Sequence, residues 1–415
     1  MGLANHLSTR RELLIGSGAL FAWTQMPRLA RAEGRDPRLL VIVLRGALDG
    51  LAVAAPVGDP DWVALRGNAA FGLASKPAAL PLDSFFALNP ALPNFHRLYQ
   101  AGHALVVHAA ATPYRDRSHF DGQDVLESGL AGPGHSETGW LNRALAALEG
   151  QGANPGGGQA VAVGPVAPLV VRGPAPIVLW VPQRVLPASE DTTMRLLNLY
   201  RHTDTKLARV LEGRVALGNM SPNDVSAAAA MANPPPTVPG IAQLRPYFSE
   251  AAGNAAKYLA RTDGPRVGAL AFDGWDTHVR EGILAGQLAT WLDALDGAFA
   301  AIESNMGEAW RETVVVAITE FGRTARLNGD NGTDHGTGTV ALLAGGALKG
   351  GRVIADWPGL KPADLYEDRD LKATTDLRSI LKGVLRDHLR VREKGLASTV
   401  FPDSTGVRPF EGLLA

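Results

Sequence analysis

Five runs of nearly continuous apolar residues punctuate the chain: Leu39–Leu44, Ala104–Ala109, Val267–Phe272, Thr313–Thr319 and Val340–Ala344. Such runs read as strands buried on both faces, because a strand with one wet face alternates polar and apolar positions. Helical spacing fills the intervals. In Ile283–Ile302, the positions Leu284, Leu288, Trp291, Leu295, Phe299 and Ile302 trace one apolar stripe along a helix. His119–Glu127, Thr192–Leu211, Ile241–Leu259 and Thr374–Leu389 read as further helices, the last after a Thr-Asp start signal. Strands alternating with helices predict an α/β fold with a mixed, mostly parallel central sheet flanked by helices. The stretch Phe321–Gly338 has no helical pattern. A return to the sheet without a helix predicts that the fifth strand is antiparallel.

Two regions break this rhythm. Residues 153–187 are rich in Gly and Pro and read as loops with short strands, and Asn233–Pro239 reads as a stiff connector. Residues of about 150–260 are therefore a candidate cap or insertion on one domain spanning 33–415. Residues 1–32 carry Arg10-Arg11 before the apolar run Leu13–Trp23, then Ala30-Arg31-Ala32. This order resembles a bacterial twin-arginine signal peptide with its cleavage site. The run is shorter than the roughly 20 apolar residues of a membrane span. The expectation is export through the twin-arginine machinery to a periplasmic or secreted location, with no stable membrane span in the mature chain.

Composition narrows the function. Among 415 residues, 46% are hydrophobic, enough for a sizeable core. The 40 Lys+Arg residues nearly balance 41 Asp+Glu, and a net charge of −1 argues against nucleic acid as a partner. The 47 glycines and 28 prolines imply many loops and tight turns. Cysteine is absent, which excludes disulfides, thiolate metal sites and a Cys nucleophile, and suits an oxidising compartment.

Ligands of α/β sheets gather at the carboxyl ends of strands. Asp49 follows the first strand, Asp276 and His278 the third, and Glu320 the fourth; Asp334 and His335 precede the antiparallel fifth at the same edge. Carboxylates and imidazoles converging there form a ligand set for divalent metal, with two ions expected. The histidines favour Zn or Mn over Ca or Mg. Asp276 and His278 project to one side of an extended backbone and suit a shared ion. Asp334 and His335 are adjacent, so His335 is expected to ligate and Asp334 to support or bridge. An unpaired buried Glu320 would be costly, and Arg323 is an alternative partner for it. After the second strand, Arg117-Ser118-His119 opens a helix whose N-terminus favours an anion. Arg117 and Arg323 can hold such an anion through charge-assisted hydrogen bonds. Ser118 is either a nucleophile or a helix cap; His119 is either a further ligand or an acid/base. His103, His202 and His388 read as bystanders in surface-like settings. No G-x-G-x-x-G, Walker, G-x-S-x-G or H-E-x-x-H pattern appears, which lowers the standing of nicotinamide enzymes, NTPases and elbow-type serine hydrolases.

Taken together and in order, the leader, Arg45-Gly46 with Asp49-Gly50-Leu51, Arg117-Ser118-His119-Phe120, Gly274-Trp275-Asp276-Thr277-His278, Thr319-Glu320-Phe321-Gly322-Arg323-Thr324 and Thr333-Asp334-His335-Gly336 resemble the bacterial domain of unknown function 1501 family. That family resembles the alkaline phosphatase and sulfatase superfamily. The resemblance implies an alkaline phosphatase-like fold with a two-metal hydrolytic centre. It implies Asp276, His278 and His335 at one ion, Asp49 and Glu320 at the other, and a nucleophile helix spanning Ser118 to Gly129. The chain departs where the phosphatases have Asp-His and it has Glu320-Phe321; His119 is a replacement for that imidazole from another direction. Ser118 or His119 stands where the superfamily has its Ser or Thr. The expected function is an exported metal-dependent hydrolase of phosphate or sulfate esters. The alternative is a non-catalytic protein with a structural metal or none, binding a cell-envelope polymer or a protein rather than a small anionic ester.

Overall fold

A computed structural model describes residues 35–134, 136–153, 160–164, 166–180, 200 and 241–415. The leader, the Thr192–Leu211 helix, the Asn233–Pro239 connector and His202 lie outside them, and the 150–260 segment is only partly within them.

All five apolar runs are strands of one nine-stranded sheet. The strands are β1 (Arg38–Arg45), β2 (Ala104–Ala111), β3 (Ala160–Val163), β4 (Ile177–Trp180), β5 (Val267–Asp273), β6 (Thr313–Ile318), β7 (Thr339–Ala344), β8 (Arg352–Ile354) and β9 (Thr375–Asp376). Their order is β8-β2-β7-β6-β1-β5-β3-β4, with β9 beside β2. Strand β1 lies between β5 and β6, parallel to both, with Val41 opposite Ala269 and Val316. Strand β7 is antiparallel to its neighbours β2 and β6, as the loop before it requires. Strands β3 and β4 extend the same sheet in parallel beyond β5, so residues 160–180 belong to it.

The apolar runs follow from burial on both faces. Leu40, Ile42 and Leu44 of β1 enter one core; Leu39, Val41 and Val43 enter the other. Each buried side chain of this kind contributes about 1.5–3 kcal/mol. The helices include α1 (Gly50–Val53), α2 (Pro93–Gln100), α3 (His119–Ser128), α4 (Trp140–Glu149), α5 (Leu244–Ala260), α6 (Gln287–Met306) and α7 (Leu377–Asp387). Helix α6 starts later than its stripe suggests, because Gly282 and Gly286 hold left-handed backbone just before it. Helix α7 starts at Leu377, where the Asp376 carboxylate accepts the Arg378 amide. Among the described residues no helix is long and apolar enough to cross a membrane.

Two of the bystander histidines are more enclosed than their sequence settings suggest. His388 is buried, with Nε2 at 2.9 Å from the Arg38 carbonyl. His103 is half-buried and accepts the Trp310 indole N–H at 3.4 Å.

Candidate metal centre

The carboxyl ends of β1, β2, β5 and β6 share one sheet edge with the start of β7, and the polar loops meet there. After β5, the Gly274 and Trp275 amides both donate to the Arg45 carbonyl at 3.2 Å, and the fully buried Trp275 indole donates to Phe272. This turn presents Asp276. The loop before β7 is stitched to the same turn: the Thr333 amide donates to Thr277, and the Asn328 amide group to the His278 carbonyl. His119 comes from the first residue of α3.

One nitrogen or oxygen from each of His119, Asp276 and His335 lies within 4.8 Å of the other two. His119 Nε2 is 3.6 Å from Asp276 Oδ2, and His335 Nε2 is 3.6 Å from Asp276 Oδ1. Those separations exceed hydrogen-bond length. They are close to the roughly 3.4 Å between ligands that share a tetrahedral ion at about 2.0–2.1 Å. The other ring nitrogens are committed. His119 Nδ1 is 2.8 Å from Glu320 Oε1, and His335 Nδ1 is 2.8 Å from the Arg117 carbonyl. Both partners can only accept, so each Nδ1 is the donor. Both Nε2 atoms are buried and have no hydrogen-bond partner. Imidazoles whose Nδ1–H is held by a carboxylate or a carbonyl, with Nε2 left over, have the form of metal ligands. The donor set therefore fits a divalent ion.

Electrostatics sharpen this arrangement. Burial works to raise the Asp276 carboxyl, but His119, His335 and Arg323 outweigh it and hold it well below the usual carboxylate range. Nearness to Asp276, then to Glu320, pushes His119 up to about 9 against its burial. Burial and then the Arg323 charge lower His278.

The remaining residues expected at the site have other places. His278 flanks the group rather than closing it, its Nδ1 lying 2.7 Å from Asp276 Oδ1. Glu320 supports His119 instead of facing the same spot. Its Oε1 also accepts the Gly46 amide at 2.8 Å and the Gln123 side chain at 3.2 Å, and its Oε2 accepts the Thr319 hydroxyl at 2.9 Å. Asp49 is not brought into the group. It caps α1 through the Leu51 and Ala52 amides and takes a forked pair of bonds from Arg66 at 2.7 and 2.8 Å. Asp334 is exposed and accepts the Asn328 amide at 3.0 Å. Among the described residues the structure thus gathers one ligand group, where the resemblance implies two.

Neither arginine presents its guanidinium as an open anion clamp. Arg323 is buried and bonded to Asp276 at 2.6 Å, to the Thr333 hydroxyl at 3.0 Å and to the Thr333 carbonyl. Arg117 is bonded to Asp370 and Glu367. Ser118 stands at the cap position of α3, half-buried, and its side chain makes no capping bond.

Gln123, Thr333, Arg66 and Glu281 were not legible as site residues. Gln123 had a usable signal, since it lies one helical turn beyond His119 and shares its face. Arg66 and Glu281 had none. Glu281 is fully buried, accepts the Thr277 hydroxyl at 2.9 Å and lies 4.0 Å from Arg66. Burial, then the Asp49 charge, pushes Glu281 up to about 8, with Arg66 and Thr277 opposing.

A family model described as a protein of unknown function, DUF1501, matches residues 101–399. No curated protein matches the chain. Ps i-CgsB, solved in complex with k-i-k-neocarrahexaose, is 13% identical over 77% of this chain and 68% of its own, with a TM-score of 0.37. The PsFucS1 sulfatase from Pseudoalteromonas sp. is 12% identical over 84% of this chain and 68% of its own, with a TM-score of 0.35. The phosphonate monoester hydrolase of Agrobacterium radiobacter is 13% identical over 77% and 70%, with a TM-score of 0.32.

Proposed function

The chain belongs to the DUF1501 family of proteins of unknown function, and from that starting point we propose that it is an exported, metal-dependent hydrolase of phosphate or sulfate esters. The observation that carries the reading is the pair of buried, unpartnered Nε2 atoms of His119 and His335 on either side of Asp276. These three residues would hold one divalent ion, Zn or Mn by the chemistry of the donors. Bound there, the ion would supply Lewis acidity toward an ester oxygen and a lowered pKa for water. The ester class and the export rest on the resemblance of the motif order and the leader.

The chain's own groups divide the remaining work. Glu320 and the Arg117 carbonyl keep each Nδ1 protonated, so that Nε2 is the nitrogen on offer. His278, half-exposed and favoured in its neutral form, lies with Nδ1 beside Asp276 and would take up or return a proton. Arg323 fixes Asp276 and sets a positive charge behind it.

The binding-protein reading draws on one observation: the Arg117 and Arg323 guanidiniums are engaged within the chain. One experiment separates the two. Protein purified without chelator is analysed for metal and assayed against a panel of phosphate and sulfate esters, beside His335→Ala. The hydrolase reading expects about one equivalent of Zn or Mn and turnover of one ester class, with both lost in the variant. Wild-type protein that stays metal-free and inactive after reconstitution would leave the binding reading.

A further inference from the structure

One buried carboxylate, Asp370, reaches the candidate ligand His335 by two routes. Its side chain is fully enclosed and grips two arginines: Arg117 Nε donates to Oδ2 at 2.9 Å with a terminal nitrogen 2.8 Å from the same oxygen, and Arg369 Nε donates to Oδ1 at 2.8 Å. The Arg117 carbonyl accepts from His335 Nδ1, and the Arg369 guanidinium donates to the His335 carbonyl. Ring and main chain of His335 are thus held by the two residues that Asp370 anchors.

Asp370 is itself on a firm base. Its amide and carbonyl exchange hydrogen bonds with Tyr366 at 3.0 and 2.9 Å, and it bridges to Thr324 while Arg323 bridges to His335. Arg117, in contrast, sits at φ +62°, a left-handed conformation that a side-chain-bearing residue keeps only when its surroundings impose it. Its bond to Asp370 is such an imposition. Without that bond the Arg117 peptide is free to turn, and its carbonyl leaves His335 Nδ1. A histidine without its Nδ1 acceptor has no fixed tautomer.

We propose that Asp370 is a positioning residue, which acts through Arg117 and Arg369 to hold His335 with Nδ1 as donor and Nε2 toward Asp276. The consequence for metal rests on the proposed function; the tautomer is a property of the metal-free chain. The test compares wild type, Asp370→Asn and Glu367→Gln. Glu367 contacts the same Arg117 from an exposed position and serves as the control.

Nitrogen-15 NMR of histidine-labelled, metal-free protein reads the His335 tautomer, and Co2+ competition reads affinity. The expected result is an Nδ1–H tautomer in wild type and Glu367→Gln and a mixture in Asp370→Asn. Co2+ binding should fall about 10–100-fold in Asp370→Asn and change by less than about threefold in the exposed-pair control. An Asp370→Asn protein that melts lower yet keeps the tautomer and the affinity would overturn the proposal and leave Asp370 a purely structural residue. If that variant does not fold, Arg369→Lys, which keeps the charge but loses the fork, is read the same way. Wild type that takes up no Co2+ refutes the metal reading alone, and the tautomer comparison then decides the role of Asp370.

Discussion

On the proposed function, a proton and a metal ion would compete for the same nitrogen of His119. The Asp276 and Glu320 carboxylates push this imidazole up to about 9, so without metal it carries a proton on Nε2 at neutral pH. A metal must displace that proton. Affinity should therefore rise with pH by about tenfold per unit below 9 and level off above it, as isothermal titration with Zn2+ across buffers would show, with about one proton released per ion. The metal-free protein should behave oppositely. Its His119 is raised in the folded state, so the pair's stabilisation is complete below about 6.5 and is lost as pH climbs through about 9. Melting temperatures without metal should fall over that window from this source. This competition could not be foreseen at residue level. Glu320 reads as a ligand when it stands alone after a strand, and only the His119 contact turns it into a support.

At the scale of elements, the turn after β1 is a tight joint of the site. Gly46 adopts φ +123°, its amide donates to Glu320, and a Cβ there would meet the Asp276 amide nitrogen at 2.6 Å. Gly46→Ala should cost about 1–3 kcal/mol for the backbone conformation alone, with a further loss from the displaced Asp276 turn. Denaturant unfolding measures the first effect and metal binding the second; a variant as stable as wild type would show that the turn yields. Five of the strands were legible because burial on both faces leaves no alternation to misread, and β7 was legible as antiparallel from the missing helix; the short β8 and β9 were not. Asp49 illustrates the limit. Its place after β1 suited a ligand, but Arg66 approaches from a segment whose sequence carries no sign of it. A carboxylate already joined to a buried guanidinium and two helix amides has little left for an ion.

Across the whole molecule, buried charge runs from Asp49 through Arg66 to Glu281, then by Thr333 to Arg323, which meets the exposed Asp276. Glu281 is the strained member, since burial and the Asp49 charge push it up to about 8. An acid raised in the folded state lowers stability progressively as pH rises from its unfolded value near 4.5 toward 8. Glu281→Gln keeps the shape and removes the titration. It should melt at or above the wild-type temperature at pH 8 and lose that advantage near pH 4; the reverse order would place the ionised form as the stabilising one. The three candidate ligands also stand far apart in the chain, at positions 119, 276 and 335, after β2, after β5 and before β7. No nascent fragment that ends before His335 holds the full set. On the proposed function, metal capture would then follow translation of at least the first 335 of 415 residues, which would make the ion a late arrival and a check on completed assembly rather than a nucleus for it.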